Sequence, residues 1–367
     1  MPKIRFRRSL VGLVCGSFCC MLVGCASVGP GSVQRDRIDY VEAISDSSKD
    51  QLLLNIVRLR YGDTPIFMDV SSVVSGYTLE GQTQAGWTGN YGNHTPSPTT
   101  TVGLGAMAQY SDKPTITYVP RSGKIFTESL IEPIPPAAIF SLINEGYAVD
   151  LIIPLTIRAL NGVYNRTAAY SGRVQSDPAF YPLIEAWRRL QTSRRFSMHF
   201  ERRGEDTLAR VTLAPSTDPQ VAQDVALVKK TLNLDSYKNE LTITYGALQT
   251  RPDEVAILSR SMIQIMTVIA SDMDVPAEHV SQGKTSANRV LGSNPPPLDL
   301  PLVRIHSGAT RPSNVFSAVR YAHTGTWYWI SSDDFTSKRN FSTILLLMSL
   351  AETGATAVAP MLTIPVQ

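Results

Sequence analysis

The sequence predicts an α+β fold, in which helices cover antiparallel sheets and hairpins, together with one long amphipathic β-hairpin. Two patterns support this prediction. Apolar residues recur at helical spacing in several segments, while other segments alternate between apolar and polar residues. Turn residues separate the alternating segments at short intervals, which is typical of hairpins rather than of helix-linked parallel strands.

The first half of the chain contains three predicted helices. Residues 37–61 have apolar residues near helical spacing, and Gly62 can end that helix. Residues 135–146 and 149–162 follow as two apolar helices, the second with Asp150 as its cap and Asn161-Gly162 as its stop. We expect both to be core helices without a functional role.

The second half alternates between helices and strands. Helices are predicted over 178–193, 218–233, 252–269 and 334–353, and strands over 196–202, 207–213, 240–246 and 360–367. The segment "NVFSAVRYAHTGTWYWIS" predicts a further hairpin that turns near Thr324-Gly325. Residues 281–301 form a Pro-rich loop that could be a hinge or a domain seam.

The long hairpin is predicted over residues 67–119, with arms of about 15 residues or more and a length of roughly 50 Å. Its apolar positions are Val73, Tyr77, Leu79, Ala85, Trp87 and Tyr91 in the first arm, and Val102, Leu104, Ala106, Ala108 and Tyr110 in the second. Because a lone two-stranded ribbon is marginal in water, something must cover this face. The body of the protein, a partner or neighbouring copy, and lipid are the alternatives.

We therefore predict that residues 73–110 are an interaction element. Its candidate contact residues are Tyr77, Leu79, Trp87, Tyr91, Leu104 and Tyr110. Insertion into lipid would require a ring of subunits, since an open sheet edge is not tolerated in hydrocarbon. Packing on the body or on a partner has no such requirement.

The N-terminal segment has the pattern of a signal peptide. Four basic residues are followed by an apolar run that ends at Leu22-Val23-Gly24-Cys25. These four residues resemble the lipobox of bacterial lipoproteins. The resemblance implies cleavage after Gly24, a diacylglycerol on the Cys25 thiol and acylation of the new amino group. Because Ala26, and not aspartate, follows the cysteine, it also implies an outer-membrane anchor with the body facing the periplasm.

These assignments predict four regions. They are a lipoprotein signal peptide (1–24), a lipidated tether (25–36), a helical region that carries the long hairpin (37–177), and an α+β region that includes the Pro-rich loop (178–367). The mature chain of about 340 residues is long enough for one large domain or two smaller ones.

Composition excludes several classes of function. All four cysteines lie within the first 25 residues, so the body has neither a disulfide nor a cysteine metal site. The formal charge of +3 comes from the basic residues of the signal peptide. The mature chain is therefore close to neutral, which gives no electrostatic support for nucleic-acid binding.

No catalytic motif and no metal-ligand spacing occurs among the five histidines or elsewhere in the sequence. We therefore predict a non-enzyme without a cofactor, apart from the covalent lipid. The first hypothesis is a structural or assembly lipoprotein, as a homo-oligomer or within an envelope protein complex. The alternative is a ligand-binding lipoprotein whose pocket would use Trp327, Trp329 and nearby arginines. An envelope hydrolase ranks lowest.

Overall fold

The computed structural model describes residues 28–74, 77–89, 100–169, 172–203, 206–291, 295 and 299–351. They belong to two compact units, divided between Gln51 and Leu52. The helices are α1 (Val28–Arg60), α2 (Lys124–Ile131), α3 (Pro136–Asn144), α4 (Val149–Thr156), α5 (Phe180–Thr192), α6 (Pro219–Thr231), α7 (Met262–Asp272), α8 (Ala277–Ser281) and α9 (Phe335–Ala351).

The strands of the first half are β1 (Phe67–Val74), β2 (Tyr77–Gly89), β3 (Thr100–Asp112), β4 (Thr115–Arg121), β5 (Ile157–Leu160), β6 (Val163–Tyr164), β7 (Thr167–Ala169) and β8 (Gly172–Val174). Those of the second half are β9 (Phe196–Arg203), β10 (Asp206–Leu213), β11 (Glu240–Tyr245), β12 (Glu254–Ser259), β13 (His306–Gly308), β14 (Val315–Arg320) and β15 (Trp327–Ser331). The predicted α+β class is confirmed.

Helix α1 begins at Val28, earlier than the predicted start at residue 37. Pro30 falls in its first turn, where the missing backbone N–H leaves no hydrogen bond unmade. Residues 28–36, which belong to the predicted tether (25–36), are therefore helical. The helix ends at Arg60, and Gly62, the expected stop, follows two residues later with a positive φ of 77°.

The largest sheet has six strands in the order β6-β5-β12-β11-β10-β9. Its pairs are antiparallel except β11 and β12, which are parallel. Because β5 pairs with β12, this sheet takes strands from both sides of residue 177. The described residues from Leu52 onwards belong to one compact unit, and the sheet continues across the predicted boundary at residues 177–178.

The core lies against this sheet and is built largely from α3, α4, α5 and α7. Phe140, Ile153, Leu183 and Met266 are fully buried members of one apolar cluster. The predicted core role of α3 and α4 is thus confirmed.

The helix predicted over 149–162 is wrong in its second half. It ends at Thr156, and Ile157 adopts an extended conformation that starts β5. Asn161 and Gly162, which were expected to stop a helix, instead have positive φ and turn the chain into β6. Asp150 lies in the first turn of α4, whose N-cap is Ala148.

The helix predicted over 252–269 is also wrong in its first half, because Glu254–Ser259 form strand β12. A capping box, in which Ser261 and Gln264 bond each other's backbone, starts the helix only at Met262. A short apolar run such as "EVAILS" fits both the helical and the strand period, and here the pairing with β5 and β11 decides.

The predicted hairpin near Thr324-Gly325 is confirmed as β14 and β15, and Gly325 has a positive φ of 72°. Strand β13 pairs with β15 to complete a three-stranded sheet. The strand predicted over 360–367 lies outside the described residues, as does part of the Pro-rich loop.

Candidate interaction ribbon and candidate binding cleft

Strands β1 to β4 form two antiparallel, two-stranded ladders, which together we call the ribbon. Its lower ladder pairs β1 with β4 and its upper ladder pairs β2 with β3. The lower ladder ends with Val74 opposite Thr115, and the upper begins with Tyr77 opposite Asp112, which is the same register. With eight residues in β1 and 13 in β2, the two ladders run for about 26 and 43 Å at 3.3 Å per residue.

The register of the upper ladder brings the apolar residues of the two arms onto one face. Leu79 lies opposite Tyr110, Ala85 opposite Leu104, and Trp87 opposite Val102. Directly opposed residues of an antiparallel pair share a face of the sheet. Five of the six predicted contact residues therefore belong to this face, and the sixth, Tyr91, lies outside the described residues.

A β-bulge at Ser71 continues this apolar face into the lower ladder. Val70 pairs with Tyr118 and Ser72 pairs with Thr117, so Ser71 is the extra residue. In the outgoing arm the apolar positions are even-numbered before the bulge and odd-numbered after it, apart from Phe67 and Val74. In the return arm they are even-numbered from Val102 to Pro120, apart from Met107 and Val119. The extra residue at the bulge compensates for this switch from even to odd positions, so the apolar residues of the two arms stay on the same face.

The apolar face of the lower ladder is open to solvent in the part of the chain that the structure describes. Met68 is 45 % exposed, Ile116 is 40 % exposed and Tyr118 is 54 % exposed. Exposed apolar groups that are contiguous, unlike scattered single ones, are typical of an interaction site.

The base of the ribbon is fixed to the body. The Asn55 side chain of α1 both donates to the Ile66 carbonyl at 2.8 Å and accepts from the Ile66 amide at 2.9 Å. Phe67 is buried and packs edge-on against Phe126 of α2, with ring centroids 5.6 Å apart. The ribbon is therefore held in place where it leaves the body.

A separate cleft of about 1250 Å³ lies between α5, α6, the segment 300–306 and the start of α9. The charged groups that line it are Asp150, Glu185, Arg188, Arg189, Asp218, Asp224, Arg304, His306, Asp333, Asp334 and Arg339. Of the arginines in this lining, Arg188 and Arg189 are adjacent in sequence. Arg304 and Arg339 are distant from them and from each other, so residue spacing did not predict that the four share a cleft.

Three of the cleft's carboxylates are already engaged. Arg189 holds the buried Asp224 at 2.7 and 2.9 Å, and this hydrogen bonding raises the pKa of Arg189. Arg188 lies 3.5 Å from Asp150. Burial opposes ionisation of Asp334, but hydrogen bonds from Ser337 and the charge of Arg304 lower its pKa overall.

Arg304 and Arg339 differ from the other cleft arginines. Neither has a carboxylate within 4.0 Å among the residues that the structure describes. Both are exposed and line the cleft, so an anionic group could approach either of them.

Trp327 and Trp329 lie on the same, half-exposed face of β15, as their alternation predicts, while Tyr328 between them is fully buried. Neither tryptophan lines the cleft. Trp329 packs against His306, which does line it, with ring centroids 5.7 Å apart, and Arg311 lies 5.7 Å from the ring of Trp327. The aromatic pair and the arginines thus do not form one pocket, and their role in ligand binding stays a prediction.

A buried ionic cluster lies elsewhere in the body, and sequence reasoning missed it. Arg166 and Arg289 both approach Asp272, at 3.7 and 3.4 Å, and Arg289 also bonds Asp299. Tyr181 donates to Asp299 at 2.6 Å. Because its members pair with one another, the cluster serves to join α5, α7 and the segment before α9.

Several predicted features remain untested. Leu22, Val23, Gly24 and Cys25 lie outside the described residues. Across the described part of the chain, no cluster of three metal-binding side chains is present. The same residues contain no helix with the length and hydropathy that crossing a bilayer requires.

Comparison with known proteins adds no relative to this description. No protein-family model matches the chain, and neither the curated proteins nor the solved structures include a significant match.

Proposed function

We propose that this chain is an outer-membrane-anchored periplasmic lipoprotein with a structural or assembly role, and that it self-associates through the ribbon in an envelope or export complex. The observation that carries the proposal is the exposed apolar face of the lower ladder, with Met68, Ile116 and Tyr118, together with the register that places the apolar residues of the upper ladder on one face. The lipobox-like residues support the anchor.

A second copy is the partner that fits this surface best. Among the described strands, β1 to β4 pair only with one another, so each arm has one open edge. An open edge offers backbone N–H and C=O groups to another strand. Since one arm of the ribbon can pair with the opposite arm of the next copy, the same contact can repeat and keep all apolar faces on one side.

Light scattering of the mature lipoprotein in mild detergent tests this proposal, with negative-stain imaging to show the shape of the particles. We expect closed oligomers for the wild type. Tyr118→Glu places a charge on the apolar face and should shift the protein towards monomers. Thr115→Glu, at an exposed position on the opposite face of the same strand, is the matched control and should not. A monomeric wild type would refute the proposal.

The anchor requires its own experiment. If Cys25 carries the lipid, Cys25→Ala leaves the protein unprocessed or releases it from the outer membrane. Membrane fractionation and the mass of the mature chain measure this outcome. Normal processing and outer-membrane fractionation of the variant would contradict the anchor.

Ligand binding in the cleft is the second candidate function, and it is favoured by Arg304 and Arg339. Two exposed cations facing a large cleft suit a ligand with carboxylate or phosphate groups. Calorimetric titration with inorganic phosphate and with acetate tests this role. We expect binding that the double variant R304Q/R339Q removes and that Arg251→Gln, at an exposed arginine outside the cleft, retains. Equal heats in all three proteins would exclude it.

A further inference from the structure

The upper ladder has the dimensions of a membrane-crossing hairpin. Tyr77 and Trp87 lie on the apolar face, ten residues apart, which corresponds to about 33 Å along the strand. At the strand tilt of about 40° found in membrane barrels, this separation spans roughly 25 Å across a bilayer. That value matches the apolar band of such barrels, which aromatic residues flank at both interfaces.

Between Tyr77 and Trp87, the residues of the upper ladder suit lipid on one face and water on the other. The apolar face carries no charged residue from Leu79 to Trp87 or from Val102 to Tyr110. The first charged residue on the apolar face is Asp112. It pairs with Tyr77, where the apolar band of a membrane barrel would end. The residues of the opposite face are Thr78, Glu80, Gln82, Gln84, Gly86, Thr88, Thr101, Gly103, Gly105, Met107, Gln109 and Ser111.

We propose that the upper ladders of several copies close into a β-barrel that crosses a lipid bilayer, with the apolar face towards lipid and the polar face lining a water-filled pore. This inference rests on the proposed self-association. A single hairpin has two open edges, and hydrocarbon offers them no hydrogen-bond partner. A ring of copies satisfies every edge by pairing β2 of one copy with β3 of the next.

The lower ladder fits the same arrangement as the part outside the bilayer. It begins beyond the pair of Tyr77 and Asp112, it contains the charged residues Asp69 and Arg121, and Lys113 lies between β3 and β4. In the ring its exposed apolar side chains would contact those of the neighbouring copies on the same face. The lower ladder would thus add to association outside the bilayer, while the upper ladder both pairs with its neighbours and inserts.

Single-cysteine labelling of the mature lipoprotein in phosphatidylethanolamine/phosphatidylglycerol vesicles tests the inference. An environment-sensitive fluorophore is placed by Leu79→Cys, Ala85→Cys or Ala106→Cys on the apolar face, and by Gln82→Cys, Gln84→Cys or Gln109→Cys on the other. The parent chain, with Cys25 alone, controls for background labelling. We expect nitroxide-labelled lipid to quench the first set, and aqueous iodide to quench the second. Iodide quenching of both sets would overturn the inference.

Release of a trapped small dye from the same vesicles gives a second readout. Ala85→Lys should slow release roughly tenfold or more, while Gln84→Lys, its neighbour on the pore face, should leave release close to wild type, because charges are costly only on the lipid face of a barrel. Oligomers in detergent without nitroxide quenching in vesicles would refute insertion and leave self-association standing. Monomers in detergent would refute both.

Discussion

Arg189 of α5 binds Asp224 of α6 through two parallel hydrogen bonds, of 2.7 and 2.9 Å, at the wall of the cleft. The side chain of Asp224 is only 3 % exposed, whereas that of Arg189 is 45 % exposed. The pair therefore joins two helices rather than offering a free cation to a ligand. Arg189 is adjacent to Arg188 in α5, and its pairing with Asp224 shows that an arginine lining the cleft need not be available to a ligand.

Asp224→Asn should destabilise the fold by about 1–3 kcal/mol, because one amide N–H would then face the guanidinium and leave buried groups unsatisfied. The control is Glu185→Gln, which changes the other carboxylate near Arg189. The Glu185 carboxylate is half exposed and lies 4.0 Å from the Arg189 guanidinium. The expected change in the free energy of unfolding is therefore below about 0.5 kcal/mol. Urea unfolding curves measure both. Equal losses in the two variants would show that the bidentate pair does not join the helices.

Glu254 should contribute to stability in a pH-dependent way. Burial opposes its ionisation, but hydrogen bonds from Thr244, Thr250 and the Arg251 amide lower its pKa to about 2. A lowered carboxyl pKa stabilises the fold fully above the unfolded pKa of about 4.5, and the stabilisation is lost as the pH falls towards 2.

Glu254→Gln should therefore cost about 1–3 kcal/mol at pH 7, since a neutral amide replaces the buried carboxylate acceptor. The difference between variant and wild type should shrink as the pH is lowered from 5 to 3. Chemical denaturation at several pH values provides the measurement. A difference that stays constant over this range would contradict the lowered pKa.

The upper ladder should be dispensable for folding of the body. Its pairing is complete within residues 77–112, and Val74 faces Thr115 directly below it. Replacing residues 75–114 by Asn-Gly, which favours a tight hairpin turn, should keep the lower ladder and the cooperative unfolding of the body. Thermal unfolding followed by circular dichroism tests this. Loss of cooperativity would mean that the upper ladder is part of the core.

Arg260→Lys should destabilise the body by about 2–4 kcal/mol. Arg260 is 1 % exposed, and its guanidinium donates to the carbonyls of Pro154, Leu155 and Arg166. A lysine ammonium cannot place its donors in this fork, so at least one buried carbonyl would lose its partner. Arg158→Lys, at an exposed arginine nearby, is the control and should be nearly neutral. Equal stability of the two variants would refute this role for Arg260.

The ribbon could be predicted from the sequence because its signal is local and long. Alternation over a whole arm specifies a strand, and the two arms are adjacent in the chain. Even the bulge has a local signal, since the apolar phase changes between Val70 and Val73. By contrast, "EVAILS" is too short to distinguish strand from helix, and only its pairing with β5, a hundred residues earlier, makes it a strand.

The cleft and the buried ionic cluster could not be predicted in this way. Arg304 and Arg339 reach the same cleft as Arg189 only because the segment 300–306 and α9 line it together with α5 and α6. Likewise Arg166 and Asp272 are more than a hundred residues apart, and neither lies in a motif. Such groupings depend on tertiary structure, which residue spacing does not encode.

The pairing of β5 with β12 also bears on how the chain folds. The central sheet cannot be completed until residue 259 has been reached, whereas the ribbon needs only residues up to 121. Contacts distant in sequence form slowly, because a long loop must first be closed. During that interval the ribbon would present its apolar face beside an unfinished body. Refolding yield should consequently fall as protein concentration rises, with premature association of ribbons as the competing reaction.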